Sequence, residues 1–127
     1  MASIQQTAIR VSIDALFNRE GVSITYIRGE DSIPVGRAVK TELRHTGESN
    51  EGFTVLAITP DFLIRVMDLI LDGAHFLPEI GDRILIEEGG VTRKFRVSPP
   101  TTQEDCWRYH DRWYYCIRVH SSLEGVV

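Results

Sequence analysis

The chain of 127 residues is short of the features that usually announce chemistry. Two cysteines cannot build a disulfide framework. No apolar run approaches the ~20 residues that a membrane span needs. The opening MASIQQTAIR has neither a long apolar core nor a cleavage pattern, so no secretory signal is expected and synthesis in the cytoplasm is the default. Positive charge is not in excess. The net charge of −4 argues against a dedicated DNA-binding protein, which would be basic. There is no G-x-S-x-G, no P-loop and no H-E-x-x-H, and no internal repeat or low-complexity stretch. No catalytic residues and no cofactor are expected, and the chain is read as not an enzyme.

The composition is that of an ordinary soluble globular protein, with 43% hydrophobic and 25% charged residues. The length suits one domain, 1–127, with a modest core. Its clearest pattern is LPEIGDRILIEEGGVTRKFRV, residues 77–97. Ile84 and Ile86 alternate with Arg83 and Leu85; after Glu88-Gly89-Gly90, the apolar positions are Val91, Phe95 and Val97. Period-two patterning around a glycine pair predicts a β-hairpin. Pro78 stops what precedes it, and Gly81-Asp82 turns the chain into the strand.

Residues 3–19 predict a helix. Ser3 and Gln6 have the form of a capping box, and Ile9, Ile13, Leu16 and Phe17 fall on one face, which Ala8, Val11 and Ala15 widen. Gly21 suits the C′ position, where φ is often positive. Such a helix is favoured as a lid over a sheet; with Arg10 and Arg19 its only cations, a partner-binding or membrane-surface helix is the lesser alternative. Strands follow at 22–28, 33–41 and 53–59, with Val35 and Val39 assigned to one face and Pro34 to an edge or a strand start. Between them ELRHTGESNEG, residues 42–52, is polar and reads as a long mobile hairpin tip. Residues 60–73 fit a helix starting at Thr59-Pro60 or a short buried strand at Phe62-Leu63-Ile64, and periodicity does not separate the two. A loop over 73–75 precedes the central hairpin, another spans 98–103, strands are expected at 106–109 and 114–120, and the tail 121–127 is expected to fray. One helix followed by six or seven short strands predicts a mainly β fold, a small antiparallel barrel or sandwich over about 21–120.

Three constellations carry alternatives. Cys106, His110, Cys116 and His120 have the spacing C-x3-H-x5-C-x3-H, four ligand types that suit zinc. On strands, residues four apart stand ~13 Å from one another, so neither i, i+4 pair reaches one ion. Free thiols are favoured, with a cross-strand disulfide second. Trp107, Tyr109, Trp113, Tyr114 and Tyr115 lie among Arg108, Arg112 and Arg118, a pattern that can stack bases. From 83 to 120, seven Lys/Arg against five Asp/Glu give too small an excess to outweigh the acidic whole, so core and partner contacts are favoured. Asp61, Asp68, Asp72 and Asp82 are candidates for pairing in space, but turn and cap roles explain them equally well.

The order of these pieces resembles a known family. Thr59-Pro60-Asp61-Phe62-Leu63-Ile64, Pro78, Gly81-Asp82-Arg83-Ile84, Trp107-Arg108-Tyr109 and Arg118-Val119-His120 carry the likeness, which runs over about 3–120. The chain is similar to the small head–tail joining (head completion or stopper) proteins of long-tailed bacteriophages and prophages. The resemblance implies a β-barrel in a ring at the virion neck, made in the bacterial cytoplasm. It implies portal and tail proteins as partners, self-association on assembly, contact with packaged DNA, and no enzyme, membrane or cofactor; the Cys/His spacing matches no pattern of that family and so gains no support from it. It tips 60–73 towards a strand at 61–65 and a helical turn at 67–71. It also implies that the tip His45, Thr46, Gly47, Glu48, Ser49, Asn50 and Glu51 serves as an interaction loop, ordered on assembly. The alternative function is a small barrel that binds single-stranded nucleic acid through the aromatic and arginine face.

The zinc question is open to direct measurement. Purified protein is expected to carry no structural metal by elemental analysis. Stoichiometric zinc, lost together with the fold in Cys116→Ser, would overturn both this expectation and the strand assignment behind it.

Overall fold

A computed structural model describes the backbone of residues 3–48 and 54–127, and the side chains of 3–41 and 59–127. Helix α1 (Ile4–Glu20) is followed by β1 (Val22–Arg28), β2 (Asp31–Glu48) and β3 (Thr54–Arg65). A 3₁₀ turn η1 (Val66–Asp68) leads to the short pair β4 (Ile70–Leu71) and β5 (Ala74–His75). Then come β6 (Arg83–Glu88), β7 (Val91–Val97), β8 (Trp107–Tyr109) and β9 (Cys116–Val126). The fold is mainly β, as expected. Six strands in the order β3-β2-β1-β6-β7-β9 close into an antiparallel barrel because β3 also pairs with β9, and β8 adds a strand outside the closure.

Two long strands make the closure. Residues 31–38 of β2 pair with β1, and its residues from Val39 onward pair with β3. In β9, Cys116 to His120 pair with β3, and Ser121 to Val126 with β7. Each strand changes partner beside a register shift in which it carries the extra residue: Val22↔Ala38 gives way to Ile24↔Val35, and Lys94↔Gly125 to Phe95↔Leu123. A bulge of this kind bends the strand and raises its twist, so each can turn a barrel corner. The extra residue also resets the alternation. Val35 therefore lies in the barrel core while Val39 packs under the helix, which corrects their assignment to one face.

The central hairpin matches its sequence pattern. Ile84, Ile86, Phe95 and Val97 are buried, and Val91 is exposed. Gly89 and Gly90 have φ of 60° and 79°, the positive pair that a tight hairpin turn between right-twisted strands favours. Ile24, Tyr26, Phe62, Ile64, Ile117 and Val119 complete much of the interior, and Leu69 belongs to the same core.

The helix covers one wall of the barrel. Ile13 and Phe17, with Ile9 and Leu16 half-buried, pack on Val39, Leu63 and Cys116. The wall is thus buried on both sides: Phe62 and Ile64 point in, and Leu63 points to the helix. That two-sided burial made Phe62-Leu63-Ile64 a continuous apolar run. The structure resolves the choice as strand to Arg65 and a turn at Val66–Asp68. A polar clasp fixes the helix as well: Tyr115 Oη donates to Asp14 Oδ1 at 2.6 Å, and Arg65 Nη1 reaches the same oxygen at 3.2 Å. Ser3 caps the helix, its Oγ accepting from Gln6 N at 3.0 Å. Gly21 has φ −69°, not a positive value. Glycine is required there because a Cβ would lie 2.3 Å from Phe17 O.

Three other expectations are corrected. Ala8, Val11 and Ala15 do not widen the buried face, since all three are exposed. The tail does not fray through 121–126, because those residues pair with β7. Residues 73–75 are not all loop, since Ala74–His75 pairs with Ile70–Leu71.

Helix docking sets a measurable hierarchy. Phe17 is fully buried, so Phe17→Ala is expected to cost about 3–5 kcal/mol in urea unfolding. Half-buried Leu16 should cost less, under about 2 kcal/mol. Equal and negligible losses for both would mean that α1 does not dock in solution.

Candidate functional site

Beyond the pair Thr41↔Asp61, β3 no longer pairs with β9, but its ladder with β2 continues from Glu42↔Pro60 to Glu48↔Thr54. The barrel wall is thereby extended into a two-stranded arm. Seven register pairs at ~3.3 Å each make it about 23 Å long. The tip read as loop over 42–52 is therefore strand as far as Glu48. Of the interaction-loop residues, His45, Thr46, Gly47 and Glu48 stand on β2, and Ser49, Asn50 and Glu51 lie outside the described residues.

The arm leaves the barrel where proline interrupts the ladder. Pro60 has no N–H to offer β9, and its carbonyl instead accepts from the Ser121 hydroxyl at 2.7 Å. Next to it Asp61 is 5% exposed. Arg118 Nη1 donates to Asp61 Oδ2 at 3.0 Å, and His120 Nδ1 lies 2.9 Å from Oδ1. A carboxylate only accepts, so the imidazole presents Nδ1–H to it. Thr41 Oγ1 donates to the Asp61 carbonyl at 3.3 Å and lies 3.4 Å from Arg118 Nη1. Both carboxylate oxygens are thus occupied by cross-strand partners, and no Ser, Thr or Cys nucleophile is directed at the histidine by any of these bonds. The arrangement ties β2, β3 and β9 together at the arm's root. A groove of about 780 Å³ opens beside it, walled by the 98–105 segment and by β8.

The four ligand-type residues are not brought together. Cys106 lies in the barrel core, its Sγ 3.8 Å from Pro78 O, whereas Cys116 packs under the helix. Both cysteines are free. Burial pushes both thiols up, Cys116 to about 12, so neither is a ready thiolate at neutral pH. Burial, followed by the nearby Arg118, lowers the pKa of His110, and His120 is held by Asp61. Among the described residues no three His, Cys, Asp or Glu side chains are grouped to hold a metal.

The aromatic cluster also divides. Tyr109 meets Trp107 edge to face and Tyr114 at a tilt, with centroids 5.0 and 4.5 Å away, beside the outer edge of β8. Tyr115 turns instead to the helix. Asp111 causes the division: its carboxylate accepts from the N–H groups of Trp113, Tyr115 and Cys116, folding the loop back and holding Tyr114 at φ 60°. The single aromatic and arginine face that the nucleic-acid alternative requires is not formed.

The four aspartates do not pair with one another either. Asp61 meets Arg118 and His120, and Asp68 meets Arg65. Asp72 sits in a turn at φ 52°. Asp82 accepts from the Tyr26 hydroxyl, from Arg28 Nε and Nη2 at 3.2 and 2.8 Å, and from Glu79 N at 2.9 Å. Burial alone would raise its pKa, but the bonds from Arg28, Tyr26 and Glu79 outweigh it and hold the carboxyl below its usual 3.8. The Gly81-Asp82 turn is thereby anchored to β1.

Sequence patterning reached the arm only as a polar tip. It missed the Asp61–Arg118–His120 contact, which joins residues 57 and 59 positions apart.

Over residues 2–126 the chain matches the family model described as Phage head-tail joining protein. No curated protein matches it.

A pH dependence follows from Asp82. Its native pKa is lowered, so its stabilisation is present above the unfolded value near 3.8 and is lost as pH falls through the native one. Asp82→Asn should therefore cost about 2–4 kcal/mol at pH 7, because it breaks a buried charged contact whose arginine is partly solvated. The cost should shrink steadily below pH 4. Melting curves of both proteins from pH 7 to pH 2 test this, and a penalty independent of pH would contradict it.

Proposed function

The chain belongs to the phage head-tail joining protein family, and from that premise we propose that it is a structural, non-enzymatic subunit of a ring at the virion neck. In this reading it sits between portal and tail, associates with copies of itself on assembly, and presents its arm to the channel or a neighbouring subunit, with His45 to Glu51 as the interacting stretch. The observation that carries the reading is the family match over 2–126. The arm supports it. An isolated two-stranded ribbon is at best marginally stable in water, and barrel closure uses only the ladder up to Asp61. A hairpin joining these strands needs two to five residues, so the extra length serves something other than folding the barrel. Contacts made on assembly can then stabilise it. Among the described residues no helix is long and apolar enough to cross a membrane. Direct contact of the tip with packaged DNA belongs to the same proposal.

Shortening the arm tests this. Replacing 44–58 by Asn-Gly closes the hairpin on the Leu43↔Thr59 pair, whose backbone groups face each other across the ladder, with a turn suited to two residues. The isolated protein should keep its melting temperature within a few degrees. Particles built with the short form should lose DNA or fail to join tails. Normal assembly and infectivity would remove the functional claim for the arm.

A further inference from the structure

The wall of the barrel that carries the arm is a four-stranded sheet in the order β2-β3-β9-β8, every pair antiparallel. Its two outer edges are unlike. One is β8, which joins only β9 among the described residues. The other is the part of β2 beyond Ala38, where β1 has ended and β3 is the described partner. On the assumption that the neck-ring reading holds, we propose that the ring is built by pairing these edges, β8 of one copy adding to the 42–44 stretch of β2 in the next copy.

Backbone direction makes this possible. The bonds His110 N to Cys116 O and His120 N to Cys106 O, at 2.8 Å each, direct the even-numbered residues of β8 at β9. By the alternation of an antiparallel ladder, Trp107 and Tyr109 direct their N–H and C=O groups away from it. The bond from Val66 N to Tyr115 O at 3.0 Å continues the same alternation through β9 and β3. Carried on to β2, it leaves Glu42 and Arg44 directing their backbone groups away from β3. Each edge therefore offers what the other lacks.

Strand polarity makes the contact suit a ring. Four alternating strands lie between one edge and the other, so β8 of one copy meets β2 of the next antiparallel when both copies point the same way. Cyclic symmetry requires that shared orientation, and a contact between two different edges is heterologous, the kind that closes into rings. An odd number of strands would have made the same contact parallel.

Register adds a third argument. Arg108 lies level with Val39 through Arg118 and Leu63. Pairing Trp107 with Arg44 and Tyr109 with Glu42 sets Arg108 opposite Leu43 of the next copy, four residues further along β2. That stagger is about 13 Å over four strands spanning about 19 Å, a tilt of roughly 35°, within the range that closed sheets adopt. The clustered rings of Trp107, Tyr109 and Tyr114, the last 65% exposed, stand beside this edge and would be covered by the neighbouring arm.

The test uses assembled particles. Opposed residues that are not hydrogen-bonded to each other bring their side chains close, so Arg108→Cys with Leu43→Cys should cross-link between copies on mild oxidation. A ladder of covalent multimers is expected from the double variant and not from either single one. As a second arm, Tyr109→Pro removes an outward N–H while leaving the bonds to β9 in place. It should keep the monomer's melting transition and lose incorporation into the neck. Neck-located protein that gives no multimers, together with normal incorporation of Tyr109→Pro, overturns edge pairing and leaves the neck reading intact. Wild-type protein absent from the neck overturns the neck reading and this inference with it.

Discussion

The barrel depends on five register pairs between β3 and β9, from Asp61↔His120 to Arg65↔Cys116. Without them the remaining strands form an open sheet, with the interior faces of Phe62, Ile64, Ile117 and Val119 left to water. These pairs are distant in sequence and short in number, and the structure supports them from both sides. Inside, the side chains of the same residues fill the core. Outside, α1 lies over Leu63 and Cys116 and is clasped by Asp14, Arg65 and Tyr115. The helix is therefore part of the closure rather than an appendage to it. At one end of the ladder Asp61 ties three strands together, and at the other Asp111 organises the chain as it enters β9.

How much of this was legible depended on how local the governing interaction is. The central hairpin was read correctly because its period-two pattern and its glycine pair lie within one short stretch. The helix was legible from its cap and its Ile9, Ile13, Leu16 and Phe17 spacing, but its exposed apolar face was not. Ala8 and Val11 look the same in sequence whether or not a wall lies beneath them. Residues 60–65 were ambiguous because a strand buried on both faces loses the alternation that identifies strands. The assignment of Val35 and Val39 failed at a bulge, which shifts the alternation without leaving a compositional mark.

The candidate site was legible as a segment and not as a geometry. The polar tip pointed to 45–51, but strand pairing from Glu42↔Pro60 to Glu48↔Thr54 depends on register rather than on hydrophobic pattern. In the same way, β9 continues past His120 because β7 supplies a partner, and nothing in Leu123 to Val127 records that partner. The regular spacing of Cys106, His110, Cys116 and His120 was misleading for the opposite reason. It is regular along the chain, whereas the two cysteines face different compartments, one inside the barrel and one under the helix.

The continuity of the arm with the wall has a mechanical meaning. β2 and β3 run without interruption from the barrel into the arm, so a pull along the arm is carried straight into the β3–β9 ladder and acts parallel to the strands. Loaded in that direction, the bonds of the ladder share the force and must slip together. A sideways pull peels them open one at a time, starting at Pro60, where the ladder ends. The arm is thus stiff to tension and yielding to bending, and its pivot lies at the residue that has no N–H to give.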